Sequence, residues 1–234
     1  MPDAPQPHRD IVRFSYPLPH LADVLKRQRK IKVVAIGSSS TAGEPLPNGE
    51  VKIVPFPDRL ELALRKRGYG RMIDVLNRGV RGQEAPEELS RFESDVIAEA
   101  PSLVIWQVGT NAVFRDVDYN PEEVSASLDA GLGWLAALPM DVVLMDLQYT
   151  TIIDEKLDLA KKMVARIAAA AEKAQVNVFR RFDLMVQWVK DGATLADMTD
   201  PLDTSKLHMS EWATDGVTRA LDGAIGEALA AIAS

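Results

Sequence analysis

The segment Ile31–Gly37, IKVVAIG, is an almost continuous aliphatic run that stops at a glycine. It has the length of a strand. Its apolar residues fall on successive positions rather than alternate ones, so both faces of that strand must be covered. The pattern recurs in MIDVLNRG (Met72–Gly79), SLVIWQVG (Ser102–Gly109) and DVVLMDLQ (Asp141–Gln148), with a shorter candidate in NVFRRF (Asn177–Phe182). Helical signals lie between these runs. Leu21–Arg29 reads as a short helix, and Glu87–Ala100 places Leu89, Phe92 and Val96 on one face. Asn120 followed by Pro121, Glu122 and Glu123 is a helix start, with a capping side chain and an acidic first turn. Glu155–Gln175 is a long Ala-rich helix, and Ser210 is the expected cap of a helix reaching Ala233. Strands alternating with helices imply right-handed crossovers. The expected fold is therefore α/β: a three-layer α/β/α sandwich around a parallel sheet of about five strands.

The signals run without a break from Ile31, so residues 31–234 are expected to form one domain, preceded by an arm and short helix over residues 1–30. A net charge of −7 argues against a nucleic-acid partner, which needs a basic surface. The chain has no cysteine, which excludes disulfides and thiol nucleophiles. No apolar run reaches membrane-spanning length, so no membrane insertion is expected. The start MPDAPQPHRD lacks the pattern of a secretory leader. That leads to an expected cytoplasmic location, with a periplasmic or secreted one open to a form whose leader was trimmed.

Three of the strand candidates end in glycine, and small or polar residues follow each. In an open parallel sheet, ligands bind beyond the carboxyl ends of the strands. Gly37–Gly43 (GSSSTAG), Asn77–Gly82 (NRGVRG) and Gly109–Val113 (GTNAV) should therefore converge on one crevice. The first loop could cradle a phosphate, present a nucleophile, or only cap a helix. It lacks the Gly-Lys-Ser/Thr of a P-loop, the spacing of a dinucleotide fingerprint, and the second glycine of a lipase-type elbow, where Thr41 stands. A seryl nucleophile needs a base. Of the three histidines, His8 lies in the arm and His20 precedes the first strand, while His208 occupies a polar loop feeding the last helix. Elimination favours His208.

Taken together, these loops resemble the SGNH (GDSL-like) hydrolase family. Its first block aligns with Gly37-Ser38-Ser39-Ser40-Thr41, placing Ser39 at the nucleophile, with Ser38 or Ser40 as alternatives of register. Pro55–Leu60 (PFPDRL) looks like the aromatic and proline segment found downstream. The second block matches Asn77–Gly82, with Gly82 at the oxyanion-hole glycine, and the third matches Gly109-Thr110-Asn111. The last, normally Asp-x-x-His, matches Ser205-Lys206-Leu207-His208. Two departures stand out: Ser38 replaces the first-block aspartate, and Ser205 replaces the acid that orients the histidine. Asp203 or a backbone carbonyl could take the second role.

The resemblance implies an SGNH-type, flavodoxin-like fold and a serine esterase needing neither cofactor nor metal. Ser39 would attack an ester carbonyl with His208 as base, and the oxyanion would rest on the Ser39 and Gly82 N–H groups and the Asn111 amide. Short-chain, acetyl or carbohydrate esters are the expected substrates, and Arg78, Arg81 and Arg115 follow strand ends where a substrate could meet them. Two rivals use the same crevice: a catalytically impaired binder of carbohydrate or phosphate, and an acyltransferase.

Overall fold

A computed structural model describes residues 4–43, 52–67 and 70–233. The expected sheet is present. Its five strands are β1 (Lys30–Gly37), β2 (Met72–Gly79), β3 (Leu103–Gln107), β4 (Asp141–Met145) and β5 (Asn177–Phe179). All pairings are parallel, in the order β2-β1-β3-β4-β5. β3 is fully buried along its length, as its unbroken apolar sequence requires, whereas the edge strand β2 is partly exposed. From β1 the sheet grows first toward one edge and then, from β3, toward the other. The carboxyl ends of β1 and β3 thus flank the topological switch point, where this class of sheet leaves a crevice.

Helices cover both faces. Pro19–Arg27, Phe56–Lys66 and Glu211–Ala233 pack together on one side; Ala85–Ser90, Pro121–Ala136 and Leu157–Ala174 pack together on the other. The anticipated caps form: Asn120 Oδ1 accepts from Glu122 N at 2.8 Å, and Ser210 Oγ from Ala213 N at 3.2 Å. Among the described residues, no helix is long and apolar enough to cross a membrane.

Several boundaries differ from expectation. β3 and β4 stop short of Gly109 and Gln148, and β5 ends at Phe179 because Arg181 opens the helix Arg181–Lys190. The short helix begins earlier than expected, at Pro19 rather than Leu21, and ends at Arg27. The single helix expected over Glu87–Ala100 is broken into Ala85–Ser90, Phe92–Asp95 and a 3₁₀ turn at Ile97–Glu99. The arm, whose first three residues lie outside the described ones, carries a helical turn at Arg9–Val12 and buries Val12 and Leu18. Tyr16 fastens it to the sheet edge through two hydrogen bonds with the Asn177 side chain, 2.8 and 3.0 Å long.

Candidate active site

β1 runs into a one-turn helix, Ser39–Ala42, with Ser38 at its cap position. The end of β2 presses against this turn: a Cβ on Gly79 would lie 2.1 Å from Ala42 N. Only glycine allows that approach. From the end of β3, Gln107 Oε1 accepts from Ser38 N (3.0 Å), Ser38 Oγ (3.0 Å), Ser40 Oγ (2.9 Å) and Thr41 Oγ1 (3.3 Å). Three of the turn's four hydroxyls are thereby drawn under the sheet end. Arg181, fully buried, also reaches Ser40 Oγ at 3.3 Å while holding the Asp146 carbonyl.

Ser39 Oγ faces the other way and meets His208 Nε2 at 3.0 Å. Being first in its helix, the Ser39 N–H has no intrahelical acceptor. His208 sits on a loop whose neck is clipped by the antiparallel bridge Thr199–Met209 and by hydrogen bonds Asp200 N to His208 O (2.9 Å) and Ser210 N to Met198 O (2.8 Å). Inside the loop, Lys206 adopts a left-handed conformation (φ 55°) and folds the chain back over Asp203. The Asp203 carboxylate accepts from the backbone N–H groups of Ser205 (3.0 Å), Leu207 (2.8 Å) and His208 (2.7 Å), and from the Ser205 hydroxyl. It also contacts His208 Nδ1 at 2.9 Å. Burial alone would raise its pKa; the His208 N–H, the Ser205 hydroxyl and the imidazole outweigh that and bring it down to about 2. An ionised acid on Nδ1 assigns the ring proton to that nitrogen and leaves Nε2 to accept from Ser39.

Gly82 and Asn111 are brought to one another's loops. Asn111 Nδ2 donates to Gln83 O at 2.8 Å, and Tyr119 Oη to Gly82 O at 2.8 Å. Gly82 has φ 76°, a left-handed conformation that disfavours any side chain. An amide carries two N–H groups, so one remains on Asn111 beyond the bond to Gln83. The cleft beside Ser39 and His208 is lined by other residues than these two.

Sequence reasoning missed what joins these loops. Glu84, buried, accepts from Gly109 N (2.7 Å), Ala112 N (2.9 Å) and Ala85 N (3.1 Å), tying the Asn77–Gly82 loop to the Gly109–Val113 loop. Its carboxyl is pushed upward by burial, against these N–H groups. Glu88 lies beneath, fully buried and bonded to Trp106 Nε1 at 2.7 Å; burial first, then the Glu84 charge, drive its pKa well above the carboxylate range. The acidic string after Gly82, with Glu84, Glu87 and Glu88 within five residues, is the available signal.

The cleft holds about 40 Å³ of space. Ile53, Pro55 and Met209 give it apolar walls, and an ion pair between Lys52 and Asp200 gives it a polar one. Other residues flagged by the sequence are distributed more widely. Arg78 is held by Glu99 at 2.6 Å, Arg81 by the Gly43 carbonyl at 2.8 Å, and the Arg115 guanidinium lies beside Gly82. His8 pairs with Asp191 at 2.5 Å on the arm side, and the His20 backbone N–H donates to Asp141 at 3.3 Å. Among the described residues, no group of three or more His, Asp or Glu side chains could hold a metal ion.

Comparison with known proteins adds three findings. The profile of a family described as non-GDSL lipase-like matches residues 4–231. No curated protein matches the sequence. Among solved structures, Axe2, an acetylxylan esterase from Geobacillus stearothermophilus, superposes with a TM-score of 0.70 at 20% identity, over 84% of this chain and 94% of its own. The α/β hydrolase LAE5, from the metagenome of Lake Arreo, Spain, gives a TM-score of 0.68 at 20% identity, over 84% and 95%. Both show that the fold is shared.

Proposed function

The chain belongs to the non-GDSL lipase-like family, and from that premise we propose that it is a serine esterase acting on short acyl esters through an acyl-enzyme. The observation that carries the reading is the continuous relay Ser39 Oγ–His208 Nε2, His208 Nδ1–Asp203 Oδ2, at 3.0 and 2.9 Å. Residues 31–234 act as the catalytic domain and residues 1–30 as the arm that precedes it, packed on it over its described part.

Ser39 attacks the ester carbonyl as its proton passes to His208 Nε2. Asp203, ionised at neutral pH, stabilises the imidazolium and fixes its orientation. The tetrahedral oxyanion is taken by the Ser39 and Gly82 N–H groups and by the remaining N–H of Asn111. His208 then protonates the departing alcohol, leaving acyl-Ser39. Water, deprotonated by His208, attacks that ester, and the same donors hold the second oxyanion. As the bond to Ser39 Oγ breaks, His208 returns its proton to that oxygen and the acid departs.

Three considerations support the esterase reading and its substrate class. A space of about 40 Å³ accepts a few heavy atoms, since a single water needs roughly 10–15 Å³ by this measure. Such a space suits an acetyl or similarly short acyl group and leaves a bulky alcohol outside. Axe2 is named an acetylxylan esterase, and its catalytic variants replace a serine, an aspartate and a histidine. Asp203 at the imidazole also removes the reason to read Ser205 as a mark of lost catalysis.

The test is a fluorophosphonate label with peptide mapping, alongside turnover of p-nitrophenyl acetate. Labelling is expected at Ser39 and lost in His208→Ala. A protein that turns over no ester and takes no label would instead be the crevice-binding module.

A further inference from the structure

Asp200 is an uncommon residue to find in the wall of a short acyl cleft. It is 5% exposed, and each of its polar groups is engaged: the N–H donates to His208 O (2.9 Å), Oδ1 accepts from Leu202 N (3.0 Å), and Oδ2 meets Lys52 Nζ. Lys52 comes from a different part of the chain, the segment that continues through Ile53 and Pro55 into the helix Phe56–Lys66. Its side chain is 20% exposed. The ion pair thus bridges the two sides of the cleft, one carrying the catalytic histidine and the other the apolar residues Ile53 and Pro55.

A carboxylate this deeply buried persists only while paired. Any methylene chain growing past the first few atoms of the cleft has two routes. It can displace the Lys52 ammonium and leave the Asp200 charge uncompensated, or lie against an ion pair that offers it no dispersion gain over water. Both are unfavourable. The alcohol side of an ester is not the group being measured, because a sugar ring exceeds the available space. We propose that Lys52 and Asp200 form a charged stop that sets the acyl-chain length, making both of them specificity-determining residues. The inference rests on the esterase reading and deepens it.

The test is a series of p-nitrophenyl esters with constant leaving group and acyl chains of two, four, six and eight carbons. For the wild-type protein, kcat/KM is expected to fall at least about 10-fold where the chain first meets the pair. The double variant Lys52→Ala/Asp200→Asn removes both charges while keeping an acceptor for Leu202 N; it should lose most of that fall and gain on the longer esters. Lys52→Arg retains the cation and should keep the wild-type profile. If the double variant does not fold, judged by circular dichroism, Asp200→Asn alone carries the comparison, since its amide keeps an acceptor for Leu202 N and no carboxylate is left buried without its partner. A charge-removing variant that hydrolyses the acetyl ester with the wild-type ratio of short to long chains overturns the proposal. Failure of the wild-type protein on every ester of the series is a different result: it removes the esterase reading itself.

Discussion

The Ser205 hydroxyl donates to the Asp203 carboxylate, 2.7 Å from Oδ1, so the residue at the expected place of the orienting acid instead serves the acid two positions earlier. Asp203→Asn should lower kcat by about 10⁴, the effect of turning the imidazole to the wrong tautomer. Ser205→Ala should cost about ten-fold or less, because the backbone N–H groups of Leu207 and His208 still hold the carboxylate. Steady-state hydrolysis of p-nitrophenyl acetate separates the two.

The low Asp203 pKa fixes a second expectation. Its folded value, about 2, lies below the ordinary 3.8, so the group adds stability above pH 4 and loses it as pH falls toward 2. The acid limb of kcat/KM above pH 4 should therefore be the same for wild type and Ser205→Ala. A limb displaced by more than half a pH unit in Ser205→Ala, roughly 0.7 kcal/mol, would assign that titration to Asp203.

Asn111→Ala should reduce kcat by about 10²–10³, and losing its bond to Gln83 O should cost about 1 kcal/mol of stability. Glu84→Gln should do both kinds of damage. The Gln amide group would face backbone N–H groups of Gly109 or Ala112 and leave a buried donor unmet, destabilising by roughly 1–3 kcal/mol. Thermal melts and turnover, measured on the same preparations, distinguish a lost donor from a lost scaffold.

Gly79→Ala is expected to be among the most damaging single-methyl additions in this protein. The new Cβ would meet backbone atoms of Ala42, which cannot rotate away, rather than a flexible side chain. A loss of about 1–3 kcal/mol is expected from overpacking, together with reduced fluorophosphonate labelling of Ser39 because the turn Ser39–Ala42 must shift.

Asp146 supplies a pH signature independent of catalysis. Burial raises its pKa to about 7, outweighing the Phe182 N–H and the Arg181 charge, and its Oδ2 has no partner. Between pH 4 and 7 the folded state keeps a proton that the unfolded state has lost, so this group's contribution to stability declines as pH rises through that window. Asp146→Asn should flatten the decline, and its stability relative to wild type should be more favourable at pH 8 than at pH 5 by at least about 1 kcal/mol. Denaturant titrations at the two pH values check it; an equal difference at both would reject the shift.

The strands were legible because a two-faced buried strand needs apolar residues at consecutive positions, and β1 and β3 have them. The helix expected over Glu87–Ala100 is broken although its spacing is helical, because Arg91 is recruited elsewhere: its guanidinium bonds Arg78 O (2.6 Å), Gln83 Oε1 (2.7 Å) and Gly37 O (3.1 Å). Those partners are tertiary, and no local pattern announces them. The same division holds at the site. Ser39 and His208 stood out because a serine-rich turn and a scarcity of histidines leave few combinations. Whether Asp203 or a carbonyl met the ring depended on a left-handed residue at 206, a conformation that lysine does not advertise. Gln107, Glu84 and the Lys52–Asp200 pair act across long stretches of chain, so sequence alone gave them no address.

The pinched neck at Thr199–Met209 has a consequence for how activity is lost on heating. Asp203 and His208 lie five residues apart within one small loop, while Ser39 is 169 residues away from His208. If that loop opens as a local unit, Asp203 and His208 travel together and only the contact with Ser39 breaks. Inactivation by heat would then be reversible and would precede the loss of helix signal, with the sheet still standing and Ser39 waiting for the loop to close.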